Sequence, residues 1–439
     1  MNTFNVSTDS KLYSQMVELG VKAKNASSIL ANLSCEQKNK CLIAMADAIL
    51  ANKEAIEQAN RLDIEDAQKA GLSAAMLDRL TLTPKRIEAM AKGVKEVANL
   101  PDPLGKELDS RQRPNGLKLR KVTCPIGVIV IIFESRPNVT ADAAALCFKS
   151  GNVTILRGGK EALRSNLMIA DIMVKAARKI YQDFPLEAIQ VVPTTDRQAI
   201  PMLLSLTEFI DLCIPRGGEG LIRTVMSCSH VPVIKHYKGV CHVYVNEDAD
   251  IEMAKRIIIN AKVQRPSACN AAETLLIDEK IAKQALPTLA SALMEQGVKL
   301  HCDRNSLDIL KSELPSETAM DLIVPIDKEE WAKEYLDLIL SVGVVKNESE
   351  AIAHINRYGS RHTECIITES KEKAMRFQHE VDAAVVCWNA STRFNDGGEF
   401  GMGAEIGIST DKVGPRGPMG LDQLTTYKWM VDGNGQVRA

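Results

Sequence analysis

The sequence predicts an α/β protein with two α/β domains, each holding a parallel sheet, and a small β arm. Three observations lead there. From Gly127 the chain runs in a strand, helix, strand rhythm; a second such alternation follows Cys269; and a short stretch around Asn115-Gly116 alternates as an exposed hairpin does.

The first hundred residues read as packing helices. Ser34 and Gln37 form a capping box ahead of Leu42, Ile43, Met45, Ala46, Ile49 and Leu50, and Thr83-Pro84 opens a helix carrying Ile87, Met90, Val94 and Val97. Leu100-Pro101-Asp102-Pro103-Leu104-Gly105 ends that pattern. Alternation across Asn115-Gly116 into Leu117–Val122 then predicts a hairpin, which the pattern alone reads equally as an arm for another subunit or as a surface flap. Beyond it, Val128–Phe133, Val153–Leu156, Ile189–Val192 and Phe209–Ile214 read as buried strands, with helices near Ala141–Lys149, Glu161–Tyr181 and Ile200–Leu206. Such βαβ spacing builds a parallel sheet, at whose carboxyl ends nucleotides bind in open α/β folds. In the second alternation, strands are expected at Thr274–Ile277, Leu322–Pro325, Glu364–Thr368 and Ala384–Trp388. Helices are expected at Ile251–Ala261, Ile281–Met294, Ser349–Tyr358 and Lys371–His379.

At 439 residues the chain is long for one core. Its 54 basic and 56 acidic residues leave a net charge of -2, so no overall basic field draws it to nucleic acid or to a membrane. The longest aliphatic run, Ile126–Phe133, is too short to span a bilayer, and Met1–Gln15 lacks the basic start and apolar core of a signal peptide. The 11 cysteines are scattered, with no CxxC pair and no cysteine and histidine cluster suited to a metal; a reduced, cytoplasmic compartment and no metal site are expected.

Most of these cysteines read as small buried hydrophobes, and Cys124, Cys147, Cys213, Cys365 and Cys387 lie in apolar runs. Cys269 differs. It sits on a short small-residue segment between a helix and an apolar strand, flanked by Gln264, Arg265, Ser267 and Asn270, polar groups that favour a thiolate and cradle an oxyanion. For an anionic ligand the candidates are two glycine loops that follow strands, Arg157-Gly158-Gly159-Lys160 and Pro215-Arg216-Gly217-Gly218-Glu219-Gly220; tight turns alone are the other reading of each. No GxGxxG follows the first strand, and Gly401, Gly403 and Gly407 match it only faintly. Arg136 and Arg265 suit a phosphate or carboxylate, although Arg136 paired with Glu134 at a helix cap is the structural alternative. His236 and His242 read as structural histidines.

The segments FESRPNVTADAAALCFKSGN, ILRGGKEALRSN, CIPRGGEGLI, GVCHVYVNEDAD, QRPSACNAAETLL, YGSRHTECIIT, FGMGAEIGIS and GPRGPMGLDQLTTYKW, nearly end to end, carry a resemblance. The chain resembles the aldehyde dehydrogenase superfamily and, within it, the family of gamma-glutamyl phosphate reductases. The resemblance implies an aldehyde dehydrogenase-like fold, with an NADP-binding domain at 1–106 and 122–238 and a catalytic domain at 239–410. It also implies an oligomerisation hairpin and C-terminal strand at 107–121 and 411–439. It places Cys269 at the nucleophile, with Asn270 shaping its oxyanion pocket, and Glu334 near the glutamate that holds the nicotinamide ribose. Arg157 and Lys160 fall beside the adenine ribose, where two cations favour a 2'-phosphate and hence NADP, with Gly217 and Gly218 as further cofactor contacts. Ser135 falls near the superfamily's oxyanion asparagine, and Ser135, Arg136 and Arg265 are the candidates for the substrate. Hydrolytic members carry a water-activating glutamate where this chain has Lys235-His236-Tyr237-Lys238-Gly239, with His236 near its place. The implied reaction is NADPH-dependent reduction of L-glutamyl 5-phosphate to the semialdehyde, in proline biosynthesis. A homo-oligomer and glutamate 5-kinase are the implied partners. The rivals are a hydrolytic aldehyde dehydrogenase and a non-catalytic protein on the same fold.

Overall fold

The computed structural model describes residues 9–314 and 321–438. The start of Met1–Gln15 and of the expected first domain, the segment 315–320 and residue 439 lie outside the described residues. The chain divides into two compact units: one of residues up to Lys235 with Gly401–Gly407 and the C-terminal part from Met419, the other of His236–Phe400 with Ile408–Pro418. The hairpin expected as a separate arm thus belongs to the first unit, and the stretch 401–418 is divided between the two.

In the first unit, five helices occupy Lys11–Leu30, Cys35–Ala51, Lys53–Lys69, Ala74–Leu80 and Pro84–Asn99. Ser34 and Gln37 make the reciprocal capping box, and the Thr83 hydroxyl accepts from the Arg86 amide. Strands β1 (Glu107–Gln112) and β2 (Lys118–Pro125) pair antiparallel across the turn at Asn115-Gly116, where Gly116 takes a positive φ of 89°. The C-terminal strand Thr425–Asp432 adds to the other side of β2. Strands β3 (Val128–Phe133), β4 (Val153–Arg157), β5 (Ile189–Val191) and β6 (Leu212–Arg216) form a parallel sheet in the order β5-β4-β3-β6. The last of these starts three residues later than the apolar run suggests, because the Phe209 and Ile210 amides both donate to the Leu206 carbonyl and hold that segment in a turn. A helix at Glu219–Cys228, which the sequence reading leaves unassigned, follows β6.

The second unit is built on a seven-stranded sheet in the order β10-β9-β11-β8-β7-β12-β13. These strands are β7 (Cys241–Val245), β8 (Ala272–Asp278), β9 (Lys299–Cys302), β10 (Ile323–Pro325), β11 (Ile339–Val345), β12 (Thr363–Ile367) and β13 (Val385–Trp388), every pair parallel. Strands β7, β9 and β11 and the helix Arg304–Glu313 are additions to the expected set. The first of them carries His242, a polar residue that reads poorly as core. It is 0% exposed because Glu364 on the neighbouring strand accepts its backbone amide at 2.8 Å and meets its Nδ1 at 2.9 Å. Burial lowers His242 to about 3 and raises Glu364 well above the carboxylate range, both shifts disfavouring charge inside the sheet. His242 is structural, as expected.

Candidate active site

Cys269 lies on the turn between the helix Ile251–Val263 and β8, and is half-buried. Two successive tight turns make this segment, with the Ala268 amide donating to the Arg265 carbonyl and the Ala271 amide to the Ala268 carbonyl. Both ends of the turn are tied by one buried ion pair. Lys262, in the last turn of the helix, meets Glu273 of β8 at 2.8 Å, both side chains 0% exposed. Burial pushes the Glu273 carboxyl up and the Lys262 ammonium down, and their mutual attraction opposes both shifts. The second Glu273 oxygen accepts the Leu336 amide at 3.2 Å. Hence the pair also anchors the loop that carries Glu334.

That loop returns to the cysteine through Gly239. Glu334 accepts the Gly239 amide at 2.8 Å, and a Cβ at Gly239 would stand 1.6 Å from the Cys269 carbonyl oxygen. Only glycine permits the two backbones to lie so close. From below, the Cys241 thiol donates to the same carbonyl at 3.3 Å. Burial holds Cys241 well above the usual thiol range, so it serves as a weak donor.

Around the sulfur stand groups distant in sequence. One ring nitrogen each of His236 and His362 and the Cys269 Sγ all lie within 4.8 Å of one another. His236 Nδ1 is 2.9 Å from the Ile408 carbonyl, which only accepts, so this nitrogen carries the proton. His362 is 0% exposed; burial lowers it to about 3, and its Nδ1 is 2.7 Å from the Thr363 hydroxyl. The direct reading of His236 as a structural histidine is corrected, since it is part of the cysteine's surroundings, where the resemblance also put it, and a cysteine and histidine cluster does exist. No spacing rule could find it, because its members precede β7, β8 and β12, which become neighbours only in the sheet. The group therefore sits at the amino ends of three parallel strands, opposite to the edge where open α/β sheets usually bind ligands.

Arg393 is a further residue that the sequence reading missed. Its Nε donates to Gln264 at 2.9 Å, and burial, then the nearby Arg265 cation, lower its pKa, with Asp396 and Cys269 acting the other way. Two guanidinium groups thus stand near the cysteine, with Arg265 exposed. Asn270, expected to shape the oxyanion pocket, donates its Nδ2 to the Asn395 carbonyl at 2.9 Å and so ties the cysteine turn to the residue after the turn Thr392–Phe394.

In the first unit, Arg157 ends β4 and Lys160 lies three residues further along the loop that follows it. Arg157 is 8% exposed and donates to the Thr195 carbonyl at 3.2 Å and to the Gly158 carbonyl, while its buried Nε has no partner. Lys160 is exposed and opens the short turn Lys160–Ala162. Burial lowers the Arg157 pKa, Glu161 opposes this and Arg197 adds to it, which identifies Arg197 as a third cation beside the loop.

Ser135 stands in the left-handed region at φ 35°, with its amide 3.1 Å from Glu161 and its hydroxyl donating to the same carboxylate oxygen. Its donors are thus committed to Glu161, against the expectation of an open oxyanion or substrate contact. Glu134 accepts the Gly218 amide at 3.0 Å. This carboxylate thus meets an amide of the glycine loop expected to hold an anion. Arg136 is exposed beside it.

Comparison with known proteins completes the picture. The model of the aldehyde dehydrogenase family matches residues 10–309. The gamma-glutamyl phosphate reductase of Carboxydothermus hydrogenoformans is 52% identical over 424 residues, covering 97% of this chain and 99% of that protein. That of Thermodesulfovibrio yellowstonii is 49% identical over 417 residues, covering 95% and 97%. Among solved structures, gamma-glutamyl phosphate reductase from Thermotoga maritima superposes with a TM-score of 0.91 at 43% identity, covering 97% of this chain and 100% of that one.

Proposed function

This chain belongs to the aldehyde dehydrogenase family and, within it, to the gamma-glutamyl phosphate reductases, and we propose that it reduces L-glutamyl 5-phosphate to L-glutamate 5-semialdehyde and phosphate through a thioester on Cys269, in proline biosynthesis. The observation that carries the site is the setting of that cysteine: half-buried, on a turn held by Gly239, Cys241 and the Lys262–Glu273 pair, with arginines nearby.

The Cys269 thiolate attacks the acyl carbon, the bond from that carbon to the phosphate oxygen breaks, and phosphate leaves with the electron pair. A bound reduced nicotinamide supplies hydride to the thioester carbon. The oxyanion so formed is held by the Cys269 amide and neighbouring donors, and its collapse expels the thiolate and frees the aldehyde. Arg265, Arg393 and Arg136 are our candidates for the phosphate and the glutamyl carboxylate. Water gains no helper from the segment Lys235–Gly239, which has no carboxylate, and Glu334 is held on the Gly239 amide. We assign the cofactor as NADP, with Arg157 and Lys160 on the 2'-phosphate, supported by the neighbouring cation Arg197.

No helix of the described residues is long and apolar enough to cross a membrane, and none of the 11 cysteines forms a disulfide, which supports a reduced compartment. A homo-oligomer through β1, β2 and the C-terminal strand, and supply of the labile acyl phosphate by glutamate 5-kinase, complete the proposal. The reverse reaction tests it. Glutamate 5-semialdehyde and NADP should yield NADPH only with phosphate present; equal rates without phosphate would make the chain a hydrolytic aldehyde dehydrogenase.

A further inference from the structure

We propose that His236, Cys269 and His362 form a capture site for a thiophilic divalent cation, Zn²⁺ above all, whose binding reversibly switches the enzyme off. The three ligand atoms already lie within 4.8 Å of one another. A tetrahedral zinc ion, about 2.0–2.3 Å from each ligand, holds its ligands roughly 3.5 Å apart, so shifts of about 1 Å close the group around it. One thiolate and two imidazoles are the donor set that zinc takes, with a solvent molecule in the fourth position.

The surroundings prepare the histidines as ligands. The Ile408 carbonyl, 2.9 Å from His236 Nδ1, fixes the tautomer that presents Nε2 as a lone pair, which is how second-shell carbonyls orient metal-bound imidazoles. His362 is 0% exposed, its Nδ1 is engaged by the Thr363 hydroxyl at 2.7 Å, and its Nε2 has no hydrogen-bond partner. A buried ring nitrogen left without a partner carries an unmet desolvation cost, which a metal bond removes. Thr363 is itself held by Asn395 Nδ2 at 2.7 Å, so the second shell is continuous. Binding exchanges the Cys269 S–H bond for an S–Zn bond and releases the thiol proton to solvent; nothing is oxidised or reduced.

Binding stands on these three side chains. The loss of turnover rests in addition on the reading of Cys269 as the nucleophile, since an ion on its sulfur blocks attack on the acyl carbon. Zn²⁺ titrated into the whole protein against a chromophoric chelator should bind one equivalent per chain. Turnover should fall as the site fills and return with EDTA. Co²⁺ in its place should give a thiolate-to-cobalt charge-transfer band that Cys269→Ser lacks. His236→Asn and His362→Asn should each weaken Zn²⁺ binding about 10-fold or more. The half-buried His236 carries this test should the buried His362→Asn fail to fold. Absence of a stoichiometric site, or unchanged affinity in Cys269→Ser, overturns the proposal. A stoichiometric ion on the sulfur with full turnover retained would support the metal site and overturn the nucleophile.

Discussion

Gly239 decides where the sulfur of Cys269 can be. Its missing Cβ leaves 1.6 Å between a hypothetical side-chain carbon and the Cys269 carbonyl oxygen, which no rotamer relieves because the obstacle is backbone. Gly239→Ala should therefore push the cysteine turn outward by about 1 Å and lower kcat/KM about 100-fold, with the unfolding midpoint changed little by comparison. Wild-type turnover in that variant would separate the loop from catalysis. The sulfur should also stand apart from its buried relatives. Burial pushes the Cys147 thiol up to about 12 and the Cys213 thiol higher still. Brief treatment with iodoacetamide at neutral pH should label Cys269 well before either of them. Cys269→Ala should lose turnover while NADPH binding, followed by its fluorescence, is retained; residual turnover near the wild-type level would sink the assignment.

The helix Ile251–Val263 and strand β8 are the elements that aim the thiol, and Lys262 with Glu273 is their clasp. Removing one partner leaves an uncompensated buried charge, so Lys262→Met alone should cost about 3–5 kcal/mol, while Lys262→Met with Glu273→Leu should be close to neutral in stability. Urea unfolding of the full chain measures both, and equal losses in the single and double variants would contradict a paired role. The same elements show what a sequence can display. Cys269 was legible because its local setting, a polar small-residue turn between a helix and an apolar strand, is contiguous. Parallel strands such as β3 and β8 were legible as apolar runs. His362 and Arg393 were not, and His236 was placed by resemblance alone, since their meeting with Cys269 depends on the order in which β7, β8 and β12 pair, and strand order leaves no mark on periodicity. Glu134 escaped for a similar reason: its partner, the Gly218 amide, lies at the end of a different strand.

On the scale of the whole molecule, the three-stranded sheet of β1, β2 and the C-terminal strand has two outer strands paired on one side only. Tyr427, Trp429 and Val431 alternate along the last strand at 50%, 46% and 56% exposure, so one face of it offers apolar surface to solvent. Lys121 over the Tyr427 ring and Arg111 beside Trp429 cover part of that face. Trp429→Glu with Val431→Lys should dissociate the proposed homo-oligomer to a monomer in sedimentation equilibrium; an unchanged mass would place the interface elsewhere, and a monomeric wild type would remove it. The central claim, a glutamyl thioester that water does not discharge, is most directly tested by mass spectrometry of the full chain. The protein is mixed with glutamate 5-semialdehyde and NADP in the absence of phosphate. A glutamyl adduct on the Cys269 peptide, stable until phosphate is added and then lost, is the predicted result. An adduct on another residue, or none alongside continued NADPH formation, would contradict it.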